Sequence, residues 1–374
     1  MSFDQIVKPT LILDENRAMR NIDRMIERAN SAEVDFRPHF KTHQSAEIGQ
    51  LFRQRGVEKI TVSSVEMAEY FAKSNWKDIT IAFPVNILQI KEINHLAKDV
   101  FLGLLVESIE VVDALGKNLD APVNVWIKID VGAGRTGISW ENEIEVKNVV
   151  ERVIQTPNLH LEGLLTHAGH TYQTRQRSDT ISVYQNSIRR LQNIQSNLQG
   201  LDLKLKISVG DTPSCCLVDD FEGVDEIRPG TFVFFDAMQI QIGSCNEEDV
   251  AVALACPIVA LHPEREECVV YGGAIHLSKE YMTELDGIKH YGYIAPLHSD
   301  RWGKIIHGAY VKGLSQEHGV LHIPTDELAH LHIGGLIAIV PVHSCLTVNL
   351  MKKYLTARGK WIETIESNMN LGFV

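Results

Sequence analysis

Apolar residues recur along this chain in short runs separated by stretches of helical period. The runs fall at 10–13, 60–65, 79–85, 101–106, 123–129, 161–166 and 205–209. Between them, residues 15–30, 45–55, 65–73, 87–97, 108–118, 141–155 and 178–199 have the pattern of surface helices. Alternating apolar strands and helices imply a parallel sheet covered by helices. With a further strand pattern ending near Lys41, the repeat reaches about eight βα units over roughly 240 residues. That length favours a closed (β/α)8 TIM-type barrel over an open sheet. Beyond about Gly243 the helical period fades, and strand-like runs dominate at 250–260, 268–271, 304–311, 319–323, 336–340 and 361–365. The pattern thus predicts an α/β chain with a barrel over residues 1–243 and a mostly-β C-terminal domain over 244–374. It contains no internal repeat and no low-complexity segment.

Composition narrows the function classes. The 374 residues suit one large domain and one smaller, and 44% hydrophobic with 22% charged content is ordinary for a globular protein. A formal net charge of −12 argues against nucleic-acid binding, which needs a basic footprint. A local cationic cluster can still receive a small anion. The start, MSFDQIVKPT, lacks the charged and apolar regions of a signal peptide, and no apolar run is long enough to span a membrane. The six cysteines form no CxxC pair, which fits a reducing, cytoplasmic setting.

The most informative stretch is Arg37-Pro38-His39-Phe40-Lys41-Thr42-His43. Read as a strand, it places Arg37, His39, Lys41 and His43 on one face. Crowded cations lose protons more easily, and a neutral lysine forms Schiff bases with aldehydes. In a barrel, the C-terminal ends of the strands carry the chemistry, and Lys41 falls near such an end. A solvated edge strand is the plain alternative.

Three further segments follow strand ends. Asp130-Val131-Gly132-Ala133-Gly134-Arg135-Thr136-Gly137 contains a literal GxGxxG. A dinucleotide site would need these glycines to open a helix, with an acid about 20 residues on. Here the helix pattern starts later and residues 155–157 offer no acid, so a polar barrel interior is the better reading. Asn124, Trp126, Lys128 and Asp130 share a face of that strand, and Arg135 sits on the loop above. His167-Ala168-Gly169-His170-Thr171-Tyr172 places a histidine where it can stack on a flat ring or bond a ligand. Ser208-Val209-Gly210-Asp211-Thr212-Pro213-Ser214 and Arg228-Pro229-Gly230-Thr231 combine glycines and hydroxyls in the last βα loops, where barrels often bind phosphate.

In the second domain, Pro341-Val342-His343-Ser344-Cys345 stands out. On a strand, His343 and Cys345 project to one side. Imidazole and thiolate suit zinc, and two ligands leave positions open for water or substrate. The competing reading is a buried cysteine beside a core histidine.

Together these motifs make the sequence resemble the fold-type III pyridoxal-phosphate enzymes, whose barrel is alanine-racemase-like, and most of all their D-serine dehydratase / D-threonine aldolase group. The likeness spans nearly the whole chain. RPHFKTH matches the cofactor-binding lysine segment, so the resemblance implies that Lys41 binds pyridoxal 5'-phosphate. HAGHTY matches the loop with a ring-stacking histidine and an active-site tyrosine, here His167 and Tyr172. SVGDTPS and RPGTFVFFD match the phosphate segments, implying Gly210, Thr212, Gly230 and Thr231, although Asp211 puts a carboxylate beside them. SQEHG, which includes Glu317 and His318, and PVHSCLTVNL match the C-terminal signature.

The metal pair is His-x-Cys in the zinc-dependent dehydratases and His-x-Asp in the aldolases. His343 and Cys345 therefore favour elimination of water from a β-hydroxy D-amino acid, with Zn2+ (or Mn2+) on that pair. D-Serine is the first candidate, with D-threonine and 3-hydroxyaspartate as rivals. Retro-aldol cleavage to glycine and an aldehyde is the alternative outcome, ahead of a racemase or a non-catalytic cofactor carrier. The resemblance also implies a homodimer.

Overall fold

A computed structural model describes residues 3–198 and 204–365. The chain divides into two units. A barrel unit comprises Asp23–Lys41 and Ile48–Gly230, and a sheet unit comprises Met1–Ile22, Thr42–Glu47 and Thr231–Val374. The change of texture near residue 243 falls inside the sheet unit, which takes up the chain again at Thr231.

In the barrel unit the described residues form a parallel path of 8 strands. Its order is Asp35–Phe36, Glu226–Ile227, Lys206–Val209, Leu159–Leu165, Val123–Asp130, Phe101–Val106, Asp78–Pro84 and Lys59–Val62. A parallel bridge from His39 to Thr61 joins the two ends of that path. Buried aliphatics face one another along it: Ile60 opposite Ile79, Ile79 opposite Leu102, Ile127 opposite Leu164, and Leu164 opposite Ile207. Strands buried on both faces read as continuous apolar runs, which is why the sequence shows runs and not alternation. At Gly163 the neighbouring strand is so close that an added Cβ would lie 2.1 Å from the Lys206 carbonyl oxygen.

The helices start where a short polar side chain follows a strand. Ser64 caps Val65–Lys73 by accepting from Met67 N at 3.2 Å, and Asn142 caps Glu143–Gln155 by accepting from Glu145 N at 3.3 Å. Val146, Val149, Val150 and Val153 then form the buried face of the second helix, at the spacing of one helical stripe. The helix expected over 178–199 is observed as Arg177–Asn197, and Gln199 lies outside the described residues.

The first apolar run is not a barrel strand. Thr10–Leu13 pairs antiparallel with Val252–His262, placing Leu11 opposite Leu254, and parallel with Lys353–Thr356. A fully buried run reads alike in either setting, so only its partners distinguish them. The barrel strand missing from the alternation is Glu226–Ile227, which is too short to show a pattern.

The sheet unit is otherwise antiparallel. Val252–His262 pairs with Leu336–Pro341 and, past a bulge between Ile258 and Ala260, with Glu267–Tyr271. Glu267–Tyr271 pairs on with His318–His322, then Tyr310–Leu314, Gly292–Pro296 and back to Leu336–Pro341. The strand expected over 304–311 is thus shifted to Tyr310–Leu314, and Gly292–Pro296 and Lys353–Thr356 are strands the pattern missed. Ile12, Ala253, Ala255, Ala295 and Ala338 pack as a core within this unit. Among the described residues no helix is long and apolar enough to cross a membrane.

Candidate active site

The stretch from Arg37 to His43 is not one strand. The strand Asp35–Phe36 is short; Arg37 N still donates to the Ile227 carbonyl at 3.0 Å and His39 N to the Pro229 carbonyl at 2.9 Å, and residues 40–43 form a turn. Lys41 therefore stands just past the C-terminal end of a barrel strand, and the four basic residues do not share a face. Arg37 turns into the barrel, where its Nε donates to Glu226 Oε2 at 2.6 Å and its Nη1 to Asp78. His43 is fully buried in the sheet unit, its Nδ1 accepting from Ser45 N at 3.1 Å, and burial pulls its pKa down to about 3. The predicted crowding is present at His39, where Lys41 is joined by Arg228, His167 and Arg135.

Those residues line the barrel unit. Burial, then Lys41, Arg228, His167 and Arg135, lower the proton affinity of His39 well below its usual value. Burial, then Lys41, Arg135 and Lys128, do the same to His167, against a hydrogen bond to Gly210. Burial, then Arg228 and Arg135, pull Lys128 down to about 7 although Asp130 and Glu107 oppose them. Arg228 is itself buried. Its Nε donates to Ser208 Oγ at 2.7 Å and its Nη2 to the Thr166 carbonyl at 2.6 Å. Burial draws its pKa down to about 10. In the sequence Arg228 stands in a glycine turn; its role depends on partners 20 and 62 positions away.

Four residues predicted for the cofactor come together within this unit. His167 Nδ1 donates to the Gly210 carbonyl, which fixes the tautomer and leaves Nε2 without a proton. The His167 and Tyr172 ring centroids lie 6.0 Å apart, and Thr212 N donates to the Tyr172 hydroxyl at 3.4 Å. Gly210 has no room for a side chain, since a Cβ there would lie 2.9 Å from Arg228 Cβ. The Thr212 hydroxyl is buried and has no hydrogen-bond partner among the described residues. An unpartnered buried donor beside a cationic interior fits a phosphate-bearing ligand.

Asp211 does not oppose such a ligand. It caps Thr212–Leu217, accepting from Ser214 N at 2.8 Å and from the Thr171 hydroxyl at 2.9 Å. Its carboxylate is thereby spent inside the protein. The GxGxxG segment is occupied in a similar way. Asp130 accepts from the amides of Gly132 and Ala133 at 2.9 Å and of Gly134 at 3.1 Å. Those amides face a carboxylate, and the following element is the strand Ile138–Ser139, not a helix, so nothing here forms a dinucleotide cradle.

The remaining predicted residues lie in the sheet unit, except Gly230, which ends the barrel unit. His343 and Cys345 are not on a strand. The strand Leu336–Pro341 ends before them, His343 is the N-cap of Ser344–Met351, and Cys345 is in its first turn. Asp236 forces the change by accepting from both Ser344 N at 3.0 Å and the Ser344 hydroxyl at 3.2 Å. Cys345 Sγ lies 3.3 Å from Thr42 Oγ1 and 3.8 Å from Thr231 Oγ1. His343 Nδ1 lies 2.8 Å from Glu280 Oε2. Burial disfavours a charged His343, but the Cys345, Glu280 and Asp236 side chains outweigh it and raise its proton affinity. Among the described residues no group of three or more His, Cys, Asp or Glu side chains is arranged to hold a metal. The donor set is therefore a borderline-soft pair, one imidazole and one thiol, which fits a metal keeping open positions. Glu280 and Thr42 carry no local signal in the sequence.

Comparison with known proteins matches two family models along the chain. Residues 13–238 match the model for the alanine racemase N-terminal domain, and residues 251–357 that for a putative serine dehydratase domain. The chain is 30% identical over 373 residues to D-serine dehydratase of Dictyostelium discoideum, covering 92% of each. It is 29% identical over 357 residues to D-threo-3-hydroxyaspartate dehydratase of Delftia sp. (strain HT23), covering 91% of each. A solved structure of a cysteine-to-alanine mutant of D-threo-3-hydroxyaspartate dehydratase, in the metal-free form, superposes with a TM-score of 0.89 at 26% identity. That match covers 97% of this chain and 99% of the other. The matched barrel and dehydratase domains together make this chain a member of the alanine-racemase-like, fold-type III family of pyridoxal-phosphate-dependent lyases.

Proposed function

We propose that this protein eliminates water from a β-hydroxy D-amino acid, D-serine first, giving a 2-oxo acid and ammonia. The observation that carries the reading is the His343–Cys345 pair, an imidazole and a thiol at the start of one helix with a carboxylate behind the imidazole. Two dehydratases among its relatives support it.

In this reading Lys41 would hold pyridoxal phosphate, and its Nζ takes the Cα proton of the substrate. Gly210, Thr212, Gly230 and Thr231 serve the phosphate, and the buried Thr212 hydroxyl supports that role. His167, held by Gly210, offers a neutral ring face to the cofactor, with Tyr172 beside it. The cationic interior formed by Lys128, Arg135 and Arg228 favours an anionic ligand and keeps nearby bases neutral. When bound, pyridoxal phosphate delocalises the electron pair left at Cα. His343 and Cys345 would hold zinc, which supplies a Lewis acid for the β-hydroxyl as it leaves.

A panel of D-amino acids, assayed for 2-oxo acid and for glycine with and without chelator, tests the assignment. Pyruvate from D-serine, lost on chelation and restored by Zn2+, is expected. Glycine and acetaldehyde from D-threonine as the main products would replace elimination with retro-aldol cleavage. A 2-oxo acid formed faster from 3-hydroxyaspartate would move the substrate and keep the reaction.

A further inference from the structure

We propose that Glu280 is a positioning residue for the metal centre: its carboxylate accepts the Nδ1 proton of His343, fixing the ring tautomer and reserving Nε2 for the metal. The inference rests on the reading that His343 and Cys345 hold a metal ion. A ligating imidazole has one nitrogen for the metal and one N–H to dispose of, and a carboxylate on that N–H orients the ring and raises the basicity of the ligating atom.

The geometry is suited to this. Glu280 Oε2 stands 2.8 Å from His343 Nδ1. The backbone of His343 is held separately, its carbonyl accepting from Thr347 N at 3.3 Å and from the Thr347 hydroxyl at 3.4 Å. Those bonds fix where the ring starts, not which way it turns, and Glu280 supplies the turn.

Glu280 is itself fixed on both sides. Its own N–H donates to Ser278 Oγ at 3.1 Å. Just beyond it, Met282–Thr283 pairs with Lys289–His290, and Lys289 Nζ lies 3.4 Å from the centroid of the Tyr281 ring. Glu284 closes this hairpin by accepting from His290 Nε2 at 2.9 Å, the Tyr293 hydroxyl at 2.5 Å and Gln241 Nε2 at 3.2 Å. A carboxylate that only decorated the surface would not need such support. The contacts of this hairpin do not use the Glu280 side chain, so Glu280→Ala is expected to keep the fold.

The experiment uses the full-length, pyridoxal-phosphate-loaded protein as wild type, Glu280→Gln and Glu280→Ala. Zn2+ affinity is measured by competition with a chromogenic chelator, and the Co2+-substituted forms are examined by absorption. Wild type is expected to bind Zn2+ stoichiometrically. Glu280→Ala is expected to bind it on the order of 10- to 100-fold more weakly, with Glu280→Gln between them. Both variants should keep a thiolate-to-Co2+ charge-transfer band, shift the ligand-field bands, and retain the cofactor absorption and the metal-free melting temperature. Unchanged Zn2+ affinity in Glu280→Ala overturns the inference while leaving the metal reading standing. A lower melting temperature of the metal-free variant, matching its loss of affinity, also overturns it, because the role is then general stability. Wild type that binds no Zn2+ overturns the metal reading itself and this inference with it.

Discussion

The Thr42 hydroxyl oxygen lies 3.3 Å from the sulfur of Cys345, across 303 residues of chain. Thr42 directly follows Lys41. A hydroxyl beside a sulfur becomes a donor once the thiol loses its proton, and a hydrogen bond to a charged group is worth about 1.5–3 kcal/mol. Thr42→Val keeps the shape and removes that donor. Zn2+ affinity should fall roughly 10- to 150-fold, read by chelator competition. An unaltered affinity would mean that the hydroxyl does not serve the sulfur.

Lys41→Ala should remove the visible cofactor band of the purified protein and lower turnover of D-serine by roughly 10²- to 10⁴-fold, the scale of a lost proton-transfer group. Absorption spectra and pyruvate release check the two effects separately. A variant that keeps the band and the rate would place the cofactor on another lysine.

Lys128 supplies a pH signature. Its pKa is about 7 in the folded protein, whereas a lysine in an unfolded chain titrates near 10.4. Between those values the unfolded chain binds the extra proton, so stability rises with pH from about 7 towards 10. Below about 7 the cost of the buried charge is present in full. Lys128→Met should therefore stabilise the cofactor-free protein at pH 6, by up to about 4 kcal/mol, and little at pH 10. Urea unfolding at the two pH values is the check, and equal gains at both would contradict the assignment.

Asp211 acts as a helix cap, so its removal should read out in stability. Asp211→Ala strands the Ser214 amide, while the Thr171 hydroxyl keeps the Ala168 carbonyl, at a cost of about 1–2 kcal/mol. Asp211→Asn keeps an acceptor and should lose less. Denaturant midpoints rank the pair, and a stabilised alanine variant would show that burial of the carboxylate outweighs its hydrogen bonds.

Much of this architecture is legible in the chain, and its failures share one cause. Runs such as Phe101–Val106 and stripes such as Val146–Val153 announce themselves locally. Thr10–Leu13 shows the same apolar run but pairs with Val252–His262, and nothing within four residues can specify a partner so distant. The alternation in RPHFKTH is real as spelling, yet Arg37 is drawn to Glu226 and Asp78 while residues beyond His39 turn away. His343 and Cys345 look like strand neighbours until Asp236 accepts from Ser344 N, the first residue of the helix that contains Cys345. Glu280 stands 63 residues from His343 and belongs to no motif. Residues that act through a bond to their own neighbourhood can be read from the sequence, and residues that act through a distant partner cannot.

The passage of the chain through Thr42–Glu47 has a consequence for anyone dividing the protein. Directly after Lys41, that segment belongs to the sheet unit. The His43 carbonyl accepts from the Tyr354 hydroxyl at 2.7 Å, the Gln44 carbonyl from Ile365 N at 2.8 Å, and Glu47 pairs with Lys360. A barrel expressed alone would keep the residues proposed for the cofactor up to Gly230 and still lose the anchors of the segment that follows Lys41. Shuffling this barrel onto another C-terminal domain therefore cuts the chain at four crossings, before Asp23, Thr42, Ile48 and Thr231, and the one before Thr42 directly follows Lys41.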